Sequence, residues 1–497
     1  MNAKQIPSIE TVKTDIVIIG GGGAGLAAAV GAAEKGVNIV FLEKRHAPGG
    51  NSQFAWGFFA AESPAQKRMA IDSPRDELFK MAMDYARWRT DPNIVRTLVD
   101  KSGDTVRWLE EMGVKFDWIL PLYPNQAPLV FHYSKGGSGT AVIKALVKKC
   151  EDLGVPLLCQ TAAKRIFTSE KGSVTGVLAA TKGKELRIIA KSVIIATGGY
   201  AGNKEMLKKY YPTYSENMYC AGLSHKGDGL RMATEIGAAT EGLGILELCG
   251  QLFPWSSYLS ALAEEPNMIW VNKKGERFID EGITFRFPER ANAVDRQPDK
   301  ICYTIFDETI KQKVIEDGFI QTVMRGVQSI EGIQGLPSEM AARKKKTIGL
   351  EKELQLQADK GRVKISNSWD ELAAWIGAVP EVLKATIEEY NSFCDRGYDE
   401  NFLKDRRYLV PLRIPPYYAI KCYSAFYNTL GGIKINHHME VLNHQDSPIP
   451  GLYAAGVDTG GWEWDTYNIT LAGHSFGFAV NSGRVAGENA AKYVLGK

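Results

Sequence analysis

Residues 15–44 read DIVIIGGGGAGLAAAVGAAEKGVNIVFLEK, and few folds accept such a stretch. DIVIIG is a short β-branched apolar run, the pattern of a strand buried on both faces of a parallel sheet. LAAAVGAAEKG is rich in helix formers, and NIVFLEK is a second strand. Between the first strand and the helix lie Gly20, Gly22 and Gly25, spaced as G-x-G-x-x-G. The first glycine permits the tight turn, the second lets backbone approach a pyrophosphate, and the third lets helix pack on strand. The helix N-terminus that follows then faces the phosphates with its free N–H groups. Glu43 ends the second strand, 18 residues past Gly25, where it can accept both hydroxyls of a ribose. The chain is expected to fold as an α/β protein with a Rossmann-like dinucleotide domain.

The cofactor reads as FAD rather than NAD. In an NAD domain a helix starts soon after the acid. Here PGGNSQFAWGFFAAES (48–63) supplies a glycine pair and small polar residues, a second phosphate-contacting loop. Two further strand-turn stretches follow, SVIIATGGYAGN (192–203) and IPGLYAAGVDTGG (449–461).

These three stretches resemble the FAD domain of the fumarate reductase/succinate dehydrogenase flavoprotein family, which also contains 3-ketosteroid dehydrogenases and tricarballylate dehydrogenase. GDGLRMATEIGA (227–238), WVNKKGERFIDE (270–281), YTIFDETI (303–310), LGGIKIN (430–436) and GRVAGENAA (483–491) extend the resemblance over most of the chain. It implies a glutathione-reductase-type FAD domain interrupted by an α+β cap. Residues 1–246 would begin the FAD domain, 247–425 form the cap, and 426–497 complete the FAD domain. Within 160–191 the pattern alternates like a small antiparallel layer. Ser368 to Glu371 reads as a capping box, and Pro380 suits the first turn of a helix. The basic run Arg343 to Lys346 reads as a solvated face rather than a nucleic-acid patch.

By the same resemblance Gly20, Gly22, Gly23, Ala24, Gly25, Glu43 and Lys44 would hold the ADP half of FAD. Gly49, Gly50, Asn51, Ser52 and Gly57 would line the diphosphate and flavin edge. Ala163, Ala196, Thr197, Gly198 and Asp228 would pass near the adenosine side. Gly456 would lie near the cofactor, and Asp458 would reach the ribityl chain. Gly473 precedes a last helix whose start, at His474, Ser475 and Phe476, would face the flavin C2=O edge. Family members with covalent FAD attach it through a His after the second strand. Asn51 stands about there, so noncovalent FAD is expected.

The chemistry implied is hydride exchange with flavin N5 and proton exchange with a cap arginine that shortly follows Arg-Phe-x-(Asp/Asn)-Glu. Here that motif is Arg277 to Glu281, which puts Arg286 nearest the expected place and Arg290 in reserve. An arginine gives up a proton only transiently, beside a carboxylate; Asp280, Glu281 and Glu289 are the candidates. Dicarboxylate reductases grip substrate with a His before a Thr-x-Gly-Gly turn and an Arg before the last helix. Asn428 and Thr470 stand at those places. The loss of two charge-assisted clamps, roughly 1.5–3 kcal/mol each, argues against fumarate. Tyr427, Trp462, Trp464, Tyr467 and Phe476 suggest a larger, less charged substrate: an aromatic enoate, a cyclic enone or a steroid-like ketone. Tyr467 resembles the ketone-polarising tyrosine of ketosteroid dehydrogenases.

The expected activity is an FAD-dependent oxidoreductase of a C–C bond beside a carbonyl or carboxylate, chiefly an enoate or enone reductase. The alternatives are a ketosteroid-like desaturase and a flavoprotein electron-transfer subunit. No haem motif or second dinucleotide fingerprint occurs, so a separate electron donor or acceptor is expected. The seven cysteines are scattered without Cys-x-x-Cys, which fits free thiols in a cytoplasm and gives metal no ligand pattern. A net charge of +3, with acids and bases interspersed, favours neither nucleic acid nor membrane. The one long apolar run, 16–33, is broken by glycines and is not a membrane span.

Overall fold

The computed structural model describes residues 10–123, 126–320 and 349–497. The basic run 343–346 lies outside them. Among the described residues no helix is long and apolar enough to cross a membrane.

The central sheet has six strands, in the order Glu440–Leu442, Pro448–Ala454, Ser192–Ile195, Ile16–Ile19, Ile39–Leu42 and Leu157–Leu158. The inner pairs are parallel, with Ile16 opposite both Ser192 and Ile39. Ile16–Ile19 and Ser192–Ile195 are buried along their whole length, which is why they carry β-branched residues on both faces.

Helix Gly23–Ala33 is alanine-rich and buried almost all round, because the last helix, His474–Leu495, crosses it closely. A Cβ on Gly483 would stand 2.1 Å from Ala24 O, and one on Gly487 2.2 Å from Ala28 O. The glycines of GRVAGENAA therefore allow one helix backbone to lie on the other.

The stretch 160–191 forms an antiparallel layer, Thr161–Thr168, Val174–Thr181 and Lys184–Ile189, which Glu10–Lys13 joins in parallel. A further sheet centres on the long strand Tyr417–Thr429. Ile301–Phe306, Leu246–Leu252, Val363–Ser366 and Tyr219–Cys220 all pair with it, and Ile269–Val271 lies on the far side of Ile301–Phe306. This sheet carries the cap helices. Ser368 caps Trp369–Ile376 through Asp370 N, but Glu371 turns to Ser366 instead of closing a capping box. Pro380 starts the helix Pro380–Arg396 as expected.

Two buried apolar clusters result. One surrounds the six-stranded sheet and includes Leu246, Leu248 and Phe426; the other holds Phe253, Ile305, Ile387 and Cys422. Strand Tyr417–Thr429 runs from one into the other, so the FAD domain and cap share a backbone element at their junction.

Candidate active site

Two connected cavities lie at that junction. The first is a groove over the carboxyl ends of Ile16–Ile19, Ile39–Leu42 and Ser192–Ile195, the place where open α/β sheets bind nucleotides. Its lining includes Gly20, Gly22, Gly23, Ala24, Glu43, Lys44, Gly50, Asn51, Ser52, Ala163, Ala196, Thr197, Gly198, Asp228 and Gly456. Glu43 accepts from Gly21 N at 2.6 Å and from Arg45 N at 2.7 Å, which fixes the carboxylate at the groove wall. Lys44 and Asp228 pair at 2.7 Å on the rim.

A dinucleotide fits this cradle. A Cβ on Gly22 would meet only Ser52 Oγ, at 4.0 Å, so any side chain there would fill the groove. Helix Gly23–Ala33 starts on a glycine N-cap with no acid in its first turn; Gly23 N donates to Ser52 Oγ at 3.1 Å, and the N–H groups that follow are left for an anion. Gly25 and Gly49 do not line the groove. A Cβ on Gly25 would lie 1.9 Å from Gly20 O, and Gly49 donates to Gly21 O, so both shape the turn from behind.

The side chains of two expected cofactor residues turn away, although the backbone N–H of His474 stays at the start of the last helix, where the expected contact would be made. Asp458 is buried and accepts from the backbone N–H groups of Thr197, Gly198 and Gly199, and from Thr197 Oγ1. It ties down the Ala-Thr-Gly-Gly turn rather than reaching toward a ribityl chain. His474 directs Nε2 to Glu463 and Nδ1 to Leu471 O, behind Tyr467, so its ring does not reach either cavity. His225, unassigned by sequence reasoning, lines the groove beneath Gly198; burial lowers its pKa to about 4 and keeps it neutral.

The second cavity, about 450 Å³, shares Asn51, Ser52, Asn428, Val457 and Ala479 with the groove. Gly57, Tyr427, Tyr467, Ser475 and Phe476 also line it. Trp462, Trp464 and Thr470 do not. Trp462 stacks on Phe478 at 4.2 Å and donates to Thr459 O; Trp464 packs beneath Arg89; Thr470 bonds to Asn468. The aromatic wall comes instead from Phe54, Trp56, Phe131, Phe285 and Phe287, with Tyr467 packed between Phe287 and His474.

The arginine in this cavity is Arg290. The residues Glu281–Phe285 form a short 3-10 turn, and the helix Phe287–Asp295 follows it. That helix carries Arg290 inward, where it is 5% exposed. Its Nη1 meets Glu264 at 2.9 Å and Thr284 Oγ1 at 3.0 Å, and Nη2 donates to Cys249 O at 3.1 Å. Arg286 falls at the helix start, half exposed, paired with Glu289 and lying over Tyr123, outside the cavity lining.

Of the expected carboxylates, Glu289 pairs with Arg286 but outside the cavity lining, Asp280 caps the 3-10 turn through Gly282 N, and Glu281 is buried in the cap. Burial alone would raise the Glu281 carboxyl; Lys404 and Arg277 overcome this and hold it below its ordinary value. Arg277 in turn bonds Asp399 at 2.9 Å, so this motif builds a buried cap network. The acid beside the cavity arginine is the partly buried Glu264, and a buried acid, Glu247, also faces the cavity. Neither stands in a short motif; strand pairing and the packing of helix Ser257–Ala263 bring them in.

Comparison with known proteins agrees with this architecture. Residues 15–468 match the family described as FAD binding domain. The chain belongs to that family. It is 32% identical to a vinyl phenol reductase of Lactiplantibacillus plantarum, over 96% of this chain and 96% of that protein. It is 30% identical to a urocanate reductase of Eggerthella lenta, covering 98% of this chain and 76% of that one. A solved structure, the open conformation of a flavocytochrome c3 fumarate reductase, superposes with TM-score 0.75 at 27% identity, over 99% of this chain and 79% of that chain. The chain is an FAD-dependent oxidoreductase acting on CH–CH groups, with a Rossmann-like FAD domain and an inserted cap.

Proposed function

We propose that this protein reduces the double bond of an aromatic alkene conjugated to a carbonyl, carboxyl or hydroxyaryl group, with Arg290 supplying the proton. The observation that carries this reading is Arg290 itself, buried on the wall of an aromatic cavity and held against Glu264. The end-to-end likeness to a vinyl phenol reductase supports the aromatic substrate class.

FAD, when bound, supplies hydride chemistry; the residues of the chain orient the alkene and manage the proton. The bonds from Nη1 and Nη2 fix the guanidinium plane, and Nη2 retains a second N–H beyond the one given to Cys249 O. Release of that proton is offset by Glu264, close enough to return one to the guanidinium. Phe285, Phe287 and Phe476 keep the site apolar, and Tyr467 offers a buried phenol.

The charged groups lining the cavity are Arg290, Glu264 and Glu247. One cation against one or two acids leaves no excess positive charge to bind a dianion. This supports a substrate less charged than fumarate. Asn51 spends its side chain on Asn428 and Leu223 N, which supports noncovalent FAD. Release of yellow flavin on acid precipitation checks that point.

The test is anaerobic turnover with reduced viologen as electron donor and a panel of aromatic alkenes, enones and fumarate. Reduction of an aromatic alkene with little or none of fumarate is expected. Oxidation of ketosteroids by artificial acceptors, without alkene reduction, would overturn the reading in favour of a desaturase.

A further inference from the structure

Glu247 is not needed for the proton chemistry above, yet it sits in the same cavity. It belongs to strand Leu246–Leu252, whose pairing with Tyr417–Thr429 shifts register between Leu246 and Leu248 and again between Leu248 and Gly250. The bulged strand turns both Glu247 and Cys249 into the cavity. The side chain is anchored from one side only. Oε2 accepts from Asn428 Nδ2 at 2.6 Å and from Ser475 Oγ at 3.3 Å, and the residue is 8% exposed. Among the described residues Oε1 accepts no hydrogen bond.

Oε1 thus faces the cavity from a largely buried side chain with no protein donor on it among the described residues, an acceptor left for a ligand. The other titratable groups around it do not supply that donor. His474 and Glu463 lie behind and bond to each other, while Tyr467, Tyr427 and Cys249 are lining neighbours. Burial favours the neutral acid, and neutral or ionised, Oε1 can accept from a hydroxyl.

We propose that Glu247 binds a hydroxyl on the substrate ring through Oε1, so that the cavity selects uncharged hydroxyaryl alkenes over alkenes bearing a carboxylate. This rests on the reductase reading for its alkene, but the ring-hydroxyl site stands on the geometry of Glu247. An ionised Glu247 would repel a carboxylate in the cavity, whereas a phenolic O–H finds its acceptor in place. The aromatic wall of Phe54, Trp56, Phe285 and Phe287 suits an aromatic ligand.

Affinity read from the perturbed visible absorbance of bound FAD tests this without turnover. Wild-type holoenzyme should bind 4-ethylphenol about tenfold more tightly than 4-ethylanisole, whose oxygen has no proton, the value of one hydrogen bond to a buried acid. In Glu247→Leu the two should agree within about twofold, with 4-ethylanisole unchanged. Glu247→Gln keeps the bonds to Asn428 and Ser475, guards against misfolding, and should retain part of the preference. Equal binding in the wild type, or a full preference surviving in Glu247→Leu, overturns the assignment. Viologen-driven turnover of 4-vinylphenol separates the two readings. A phenol preference without turnover sinks the reductase; turnover with no phenol preference sinks the Glu247 site alone.

Discussion

Arg290 Nη1 lies 2.9 Å from a Glu264 carboxyl oxygen inside the cavity, while Arg286, four residues earlier, pairs with Glu289 outside it. The two arginines follow the same sequence motif and differ in burial and partner. Arg290→Ala should therefore lower kcat by about 10²–10⁴-fold, the usual worth of a positioned acid, with FAD absorbance retained. Arg286→Ala should leave kcat within about threefold, since an exposed ion pair contributes little. Steady-state rates with viologen check both, and equal losses would sink the assignment.

Glu264 should act through Arg290 rather than on substrate. Glu264→Gln keeps a hydrogen-bond acceptor but gives up its charge, so kcat should fall by at least about tenfold while KM changes little. A rise in KM at unchanged kcat would make Glu264 a binding group instead.

The groove was legible in the sequence because its determinants are local. A strand, three spaced glycines, a helix and a terminal acid all fall within 15–44, and their geometry follows from backbone sterics. The cavity is assembled differently. Glu247, Glu264 and Arg290 come from a strand, the segment after a helix, and another helix, joined by the register of Tyr417–Thr429. A one-residue slip moves a side chain to the opposite face, and the bulges near Gly250 are of that kind. Trp462 and Trp464 show the converse. Their place between glycines suggested a cavity wall, yet Trp462 found Phe478 on the last helix, a contact between segments that ring composition alone does not specify.

Asp458 satisfies three consecutive backbone N–H groups of the 197–199 turn, which forms one wall of the groove. Asp458→Ala would orphan all three, Gly199 N in a buried place at about 1–3 kcal/mol and the other two on the groove wall at less. The variant should unfold at lower temperature and lose FAD on gel filtration, whereas Asp458→Asn should retain more of both. Full FAD retention in Asp458→Ala would return Asp458 to a dispensable role.

Gly25 tests the helix-to-strand contact. A Cβ there would stand 1.9 Å from Gly20 O, a backbone atom that cannot swing aside. Gly25→Ala should push helix Gly23–Ala33 off the sheet and weaken FAD binding at least about tenfold, if the displacement costs the groove some 1.4 kcal/mol. Titration of apoprotein with FAD, followed by flavin fluorescence, measures it; wild-type affinity would show that the turn relaxes freely.

Glu247 gives stability a pH dependence of definite sign. Burial pushes its carboxyl up from 4.5 to about 7, against the opposing pull of Asn428, His474 and Ser475. Below the ordinary carboxyl value the group is protonated in both folded and unfolded chains and contributes no difference. Between there and pH 7 the unfolded chain ionises first, so stability falls as pH rises. Once the folded carboxyl has also ionised, the loss is constant, on the order of 3 kcal/mol. Glu247→Gln does not titrate and keeps an acceptor for Asn428 Nδ2. Its melting temperature relative to wild type should therefore climb from pH 5 to pH 7 and level off by pH 8. Thermal unfolding of the FAD-loaded proteins across that range checks it. A wild type that gains on the variant with rising pH would mean an ionised, paired Glu247, and with it a cavity carrying a fixed negative charge.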